Sequence, residues 1–248
     1  MKSVFSTDRG QIRQQNEDNG GIFRNHNGQI LAVVADGMGG HQAGDVASRM
    51  STHLLQEKWE ETTDIGTPDI AESWFTENVA AINEHLFRHA QQHSECSGMG
   101  TTLVAAICTN RFVTIIHIGD SRCYLLNEDG FKQLTEDHTL VNELVKTGEI
   151  SKEAAEHHPR KNWILKALGT ETTIEADVKT ITFEHEDLLL LCSDGLTNEL
   201  SEQQIKDVLS TEQELDEKAC NLIRLANEQG GEDNITVAIV QQVCGESG

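Results

Sequence analysis

What this chain does without narrows its class before any motif is read. No stretch of its 248 residues approaches the ~20 consecutive apolar residues that a membrane span requires. The N-terminus, MKSVFSTDRG, also has no apolar core of the kind a secretory signal carries. A cytosolic, cytoplasmic protein is expected. Basic residues are scarce, with 19 Lys and Arg against 41 Asp and Glu and a net charge of -22. Such a field repels phosphate backbones and anionic lipid, which sets nucleic acid and membrane surfaces aside as partners. The six cysteines, at 96, 108, 123, 192, 220 and 244, include no C-x-x-C pair. Zinc asks for closer ligands, and a disulfide framework suits a smaller secreted domain. They read as reduced, mostly buried thiols. No Pro/Ser linker, charge block, low-complexity tract or internal repeat marks a boundary. One domain over residues 1–248, large enough to bury a substantial core, is therefore expected, as a monomer.

The strongest local signal that is present is AVVADGMGGH, residues 32–41. Leu31 to Ala35 is apolar and rich in β-branched residues, which reads as a buried strand that ends at Asp36-Gly37. A carboxylate at the tip of a buried strand needs compensation, and Gly37, Gly39 and Gly40 allow positive φ and close backbone approach. Two readings stand side by side: a solvated strand-to-helix turn, or one half of a metal or phosphate site.

Val4 to Thr7 predicts a short strand, and Gly20–Phe23 with Gln29–Ala35 predicts a hairpin around Asn27-Gly28. An antiparallel pair of that register brings Asp18 close to Asp36. Val46, Met50 and Leu54 mark one face of a helix from about Gly44. Thr67-Pro68-Asp69 caps a second helix, whose core face is Phe75, Val79, Ile82, Leu86 and Ala90. Residues 101–108, 112–118, 123–126 and 131–134 predict a four-stranded antiparallel meander. Residues 137–169 turn polar and short-helical, with Ser151 as a cap and Pro159 as a breaker, as expected of a mobile surface insertion. Strands return at 178–183 and 188–192, then a capping box at Ser201–Gln204, a helix carrying Leu215, Ala219, Leu222, Ile223 and Ala226, and a last strand at 235–243.

Two apolar runs end alike, VVADG at 36–37 and LLCSDG at 194–195, whereas Asp129-Gly130 is the same dipeptide in a polar setting and reads as a hairpin turn. Asp18, Asp36, Asp194 and Asp233 each border an apolar strand. If they converge, two charges ~4 Å apart repel by about 4 kcal/mol at an effective dielectric near 20. A cluster of that kind calls for cations, and all-oxygen ligands select Mg2+ or Mn2+ over zinc.

Seven segments, RGQIRQQNED (9–18), VVADGMGGH (33–41), GMGTT (98–102), HIGDSR (117–122), LTEDHT (134–139), LCSDGL (191–196) and EDNITV (232–237), resemble in order the motifs of the metal-dependent PPM or type 2C protein Ser/Thr phosphatases, the small bacterial ones above all. The resemblance implies an α+β fold, a four-layer α-β-β-α sandwich of two antiparallel sheets flanked by helices, with a flap insertion over about 144–169. It also implies a binuclear Mn2+/Mg2+ centre. By motif, Asp36 would bridge both ions, the Gly37 carbonyl would join it, Asp194 and Asp233 would hold one ion, and Glu17 and Asp18 would serve the other region, partly through water. Asp120, with Asp194, would hold a third ion, or it pairs with Arg122 in an ordinary turn.

The implied reaction is hydrolysis of phosphoserine and phosphothreonine on proteins by a metal-bridging water, without a phosphoenzyme and in opposition to a cognate Ser/Thr kinase. Arg13 offers a planar fork for phosphate oxygens, or else pairs with one of many acids. His41 is the candidate general acid, although relatives with a histidine directly after the Asp-Gly have it where Met38 stands here. His138 is expected to be a structural hydrogen-bonder and Asn234 a brace for Asp233. Trp163, Arg160 and Lys161 in the flap would meet a phosphopeptide. A silent binding module on the same fold would be expected to lack metal acids, which this chain keeps. An aspartate-nucleophile phosphatase would need a D-x-D strand end, which neither AVVADG nor LLCSDG provides.

Overall fold

A computed structural model describes residues 1–39 and 43–243. In chain order its elements are β1 (Lys2–Asp8), β2 (Asp18–Arg24), β3 (Ile30–Met38), α1 (Ala43–Glu61), α2 (Pro68–Gln92), β4 (Gly100–Thr101), β5 (Leu103–Cys108), β6 (Phe112–Ile118), β7 (Arg122–Asn127) and β8 (Gly130–Gln133). They continue with α3 (Leu140–Lys146), α4 (Lys152–Glu156), β9 (Asp177–Thr182), β10 (Leu188–Cys192), α5 (Asp194–Thr197), α6 (Glu202–Leu209), α7 (Leu215–Gln229) and β11 (Ile235–Gln241). Two antiparallel sheets result, one in the order β1-β11-β10-β7-β8 and the other in the order β2-β3-β5-β6-β9, with β4 attached to β3.

Alternation along the strands assigns the layers. In β3, Leu31, Val33 and Ala35 pack against α1 and α2, while Ile30, Ala32 and Val34 face the other sheet. In β10, Leu188, Leu190 and Cys192 pack under α6 and α7, and Leu189 and Leu191 turn inward. Both faces of these strands are covered, which is why their sequences are apolar without a break. The four-layer α-β-β-α sandwich follows from these three apolar interfaces. Cys108 and Cys123 lie between the sheets and Cys192 under the helices, where burial pushes all three thiols up. Cys220 is exposed, and Cys244 lies outside the described residues.

Three expectations need correcting. The predicted meander is two hairpins in different sheets: β5 and β6 pair in the six-stranded sheet, β7 and β8 in the five-stranded one, and residues 119–121 carry the chain across. β3 does not end at Asp36, because Gly37 and Met38 pair with Thr101 and Gly100. The core face of α1 is formed by Ala47, Ser48, Ser51, Thr52, Leu55 and Trp59, with Val46, Met50 and Leu54 only partly buried beside it. Small residues there let the helix lie close to β3, a preference that a search for large apolar side chains does not see.

The N-terminal signals differ in outcome. Ser201 and Gln204 form the capping box, and Ser151 caps α4 through the Ala154 N–H. Thr67 occupies the N-cap position of α2 with Pro68 after it but makes no side-chain bond there. Residues 137–169 hold α3 and α4; an isolated bridge between Thr139 and Ile164 closes the segment on itself, and one between Thr101 and Leu168 joins it to the body.

Candidate metal centre

The hairpin of β2 and β3 sets Asp18 directly opposite Asp36. Asp194 opens α5 at the end of β10, and Asp233 stands two residues before β11. These acids gather at one end of the sandwich. Burial raises the Asp36 carboxyl well above the usual range, and the charges of Asp18, Asp194, Asp120 and Asp233 raise it further, in that order. Burial likewise lifts Asp18 to about 7, against hydroxyl bonds from Thr236 and Ser193 that lower it. Asp120 rises to about 8, again chiefly through burial and then through Asp194. Asp194 is raised by burial and by Asp233, with bonds from Asn198 and from the Asp36 carboxyl offsetting part of the rise. Asp18 Oδ1, Asp120 Oδ1 and Asp194 Oδ1 are buried acceptors with no protein partner. Acceptors left so are costly, and oxygens of this type suit Mn2+ or Mg2+.

The backbone around the acids is tightly braced. Asp36 N–H donates to Thr102 Oγ1 at 3.0 Å, and the Asp36 carbonyl accepts from the Thr102 N–H at 2.9 Å and from the Thr101 hydroxyl at 2.9 Å. A Cβ on Gly37 would sit 2.2 Å from the Gly44 carbonyl oxygen and 2.6 Å from that of Glu17. Close approach, not positive φ, is the reason for glycine at 37. Gly39 has φ +142, while Gly40 lies outside the described residues. Glu17 is partly buried, and burial raises its carboxyl while the Arg13 charge lowers it. Its N–H donates to Asn234 Oδ1 at 2.8 Å, and its carbonyl accepts from Gly37 N–H and the Ser48 hydroxyl. Asn234 also donates to the carbonyls of Arg9 at 2.9 Å and Gln15 at 3.0 Å. It thus braces the whole 9–17 loop, in addition to donating its N–H to Asp233 Oδ1 at 2.8 Å.

The remaining site residues fall out as follows. Arg13 donates to Asp233 Oδ2 at 2.6 Å, so its guanidinium stands over the acid cluster in an ion pair. Asp120 is not the partner of Arg122. That guanidinium binds Asp137 through three contacts of 2.7 to 3.1 Å. His138 is a structural hydrogen-bonder, as expected, accepting from the Gly119 N–H at 3.1 Å. His41 lies outside the described residues. Among those described, one trio has ligand atoms all within 4.8 Å, His117, His138 and Asp177, and it lies apart from the strand-end acids in composition.

The sequence reading passed over the hydroxyl shell. Asp18 Oδ2 accepts from Ser193 and Thr236, each at 2.7 Å, and Thr102 Oγ1 meets Ser121 Oγ at 2.7 Å. The available signal was a Ser or Thr inside or beside an otherwise apolar strand: Ser193 just before Asp194, Thr236 three residues after Asp233, and Thr102 after the glycines of 98–100. Between the flap and α5 lies a cleft of about 540 Å³, bordered by Asp120 and Asp194 on one side and by Asn142, Lys152 and Lys161 on the other. Trp163, also on the flap, is exposed, with the Arg160 guanidinium 4.3 Å from its ring centre.

This architecture has close counterparts. The sequence matches the protein phosphatase 2C family over residues 9–236. It is 51% identical to a serine/threonine phosphatase stp of Listeria welshimeri over 242 residues, covering 98% of this chain and 96% of that one. The structure superposes on the serine/threonine phosphatase Stp1 of Staphylococcus aureus with a TM-score of 0.92 at 40% identity, over 98% of this chain and 95% of that one. It also superposes on the catalytic domain of the phosphatase PstP in complex with two manganese ions, with a TM-score of 0.85 at 33% identity over 98% of both chains. No helix among the described residues is long and apolar enough to cross a membrane. The strand-end acids, the sandwich that gathers them and these likenesses agree: the chain belongs to the protein phosphatase 2C family, the Mn2+- or Mg2+-dependent hydrolases that act as serine/threonine phosphatases.

Proposed function

We propose that the whole chain works as one cytoplasmic catalytic domain that removes phosphate from phosphoserine and phosphothreonine of proteins. The observation that carries the site assignment is the set of orphaned oxygens on Asp18, Asp120 and Asp194 inside a cluster that holds every one of its buried acids up. On this reading Asp36 and the Gly37 carbonyl would help to hold two Mn2+ or Mg2+ ions, with Asp194 and Asp233 contributing to one and Glu17 and Asp18 to the other region, in part through water. Asp120 and Asp194 serve a third. Bound there, the ions make water a nucleophile at neutral pH and neutralise charge on the phosphoryl group.

The protein's own groups supply the rest. Arg13, tethered over the cluster by Asp233, presents a planar fork of N–H donors to the phosphate oxygens. His41 is the candidate proton donor to the leaving Ser or Thr oxygen. Ser193, Thr236 and Thr102 hold Asp18 and Asp36 in place so that little reorganises on binding. The cleft beside the flap receives the peptide around the phosphorylated residue. The cognate partners are a Ser/Thr kinase and its targets, and the phosphatase acts as a monomer.

Hydrolysis of p-nitrophenyl phosphate and of a phosphothreonine peptide, with and without Mn2+, on the parent and on Asp194→Asn, tests the reading. Mn2+-dependent turnover that disappears in the variant is expected. Full activity in EDTA, or a trapped acyl-phosphate, overturns it.

A further inference from the structure

His138 touches four groups on three separate segments. Its N–H donates to the Gly119 carbonyl at 2.8 Å, and the Gly119 N–H returns a bond to its Nδ1 at 3.1 Å. Its own carbonyl accepts from the Leu165 N–H at 2.7 Å, on the exit side of the flap. Its Nε2 lies 3.3 Å from Asp177 Oδ2, and Asp177 is the register partner of His117 on β6. Because Nδ1 is an acceptor, the neutral ring carries its proton on Nε2 and gives it to Asp177. This tautomer speaks against a cation among His117, His138 and Asp177. A metal on Nε2 would take that lone pair and force Nδ1 to become a donor facing the Gly119 N–H.

The bonds to Gly119 matter because of the next residue. Asp120 is 6% exposed, and no side chain among the described residues hydrogen-bonds to its carboxylate. Arg122, the nearest candidate, is committed to Asp137. The place of Asp120 is therefore set through the backbone on either side. Ser121 is fixed by Thr102, which in turn holds the Asp36 N–H. Gly119 has φ +106, and a Cβ there would stand 2.6 Å from Thr102 Cγ2, so it has little slack on that side. Among the described residues, its other side is held by His138.

We infer that His138 is a positioning residue for Asp120: its paired bonds to Gly119 fix that carboxylate beside Asp194 and tie the entry of the flap to it. The inference rests on the reading of Asp120 as a cation-binding carboxylate. Asparagine at 138 places an acceptor where Nδ1 stands and keeps the Gly119 bond. Glutamine places its amide where Nε2 stands, keeps the Asp177 bond and gives up the Gly119 one.

The experiment compares His138→Asn, His138→Gln, His138→Leu and Asp120→Asn with the parent, each checked for fold by circular dichroism. Calorimetry gives Mn2+ binding, and limited trypsin digestion of the metal-free protein gives the rate of cleavage after Arg160 and Lys161. Loss of the Gly119 bond in the Gln and Leu variants is expected to weaken the weakest Mn2+ step about tenfold and to speed flap cleavage about fivefold. The KM for a phosphopeptide should stay within about twofold, and the Asn variant should behave like the parent. Gln and Leu variants that bind Mn2+ and resist trypsin like the parent, or an Asn variant no better than Gln, overturn the inference. The Asn and Gln pair decides it even if the Leu variant does not fold. An unchanged Mn2+ isotherm in Asp120→Asn overturns instead the cation role of Asp120, whereas a change there without one in His138→Gln overturns the role of His138.

Discussion

The Asp-Gly dipeptide occurs at residues 36–37, 129–130 and 194–195, and its three settings differ in what crowds the glycine. Gly37 presses on the carbonyls of Gly44 and Glu17, and a Cβ on Gly195 would lie 2.1 Å from the carbonyl of Asn234. Gly130, at φ +122, closes the β7–β8 hairpin with nothing within 4 Å of where a Cβ would be. In the first two places glycine lets backbones from different segments meet beside an acid. In the third it serves only the turn. The same two letters thus mark a site or a corner according to whether a second chain segment comes to meet them.

Mutating the acids breaks this comparison most strongly. Asp36→Asn and Asp194→Asn should lower Mn2+-dependent kcat by at least about a thousandfold with the fold retained, while Asp129→Asn leaves it unchanged; steady-state kinetics and circular dichroism check both halves. The glycines come next. Gly37→Ala and Gly195→Ala should each cost about 3 kcal/mol or more of unfolding free energy, because the added methyl meets backbone that cannot yield. Gly130→Ala should cost about 1 to 2 kcal/mol for its positive φ alone. Urea titrations measure the three.

Metal removal sharpens the contrast through pH. Asp18 and Asp120, lifted to about 7 and about 8 from an ordinary 3.8, bind protons in the folded state that the unfolded chain has already released. Stability from such groups is complete below about pH 4 and is lost as pH rises through their folded values. In EDTA the thermal midpoint should therefore fall by about 5 °C between pH 6.5 and 9. His117, pushed down to about 4 by burial, stays neutral over that range. Saturating Mn2+ should abolish the fall, and Asp129→Asn should not alter it. The smallest effect is expected at Arg13. Arg13→Ala should raise the KM for a phosphopeptide several-fold with kcat changed less, and an unchanged KM would remove Arg13 from phosphate binding.

Much of this was legible because burial writes itself into composition. The apolar runs at 31–35 and 188–192 are covered on both faces, and the acids that interrupt their ends stand out against them. The hairpin that sets Asp18 against Asp36 could be read from its Asn-Gly turn. What escaped depends on partners distant in sequence. Nothing local distinguishes the crossover at 119–121 from another hairpin loop, since both are short and polar. The close face of α1 is built from Ala and Ser, which carry little periodic signal. The commitment of Arg122 to Asp137 and of Arg13 to Asp233 spans loops whose paths only the fold decides.

One consequence of the sheet order concerns mechanics. Asp18 and Asp36 belong to the six-stranded sheet, whereas Asp194 follows β10 and Asp233 precedes β11, both in the five-stranded one. Asp18 Oδ2 on β2 already accepts from Ser193, after β10, and from Thr236 in β11. Hydrogen bonds thus rivet the two plates here beside the apolar contact of their inner faces, and an ion held by acids from both would strengthen that rivet. Sliding of one plate over the other, the softest deformation of a sandwich, would then have to stretch bonds at the riveted end. The opposite end, where the β7–β8 turn and the turn at residues 184–187 lie, is left as the natural place for breathing.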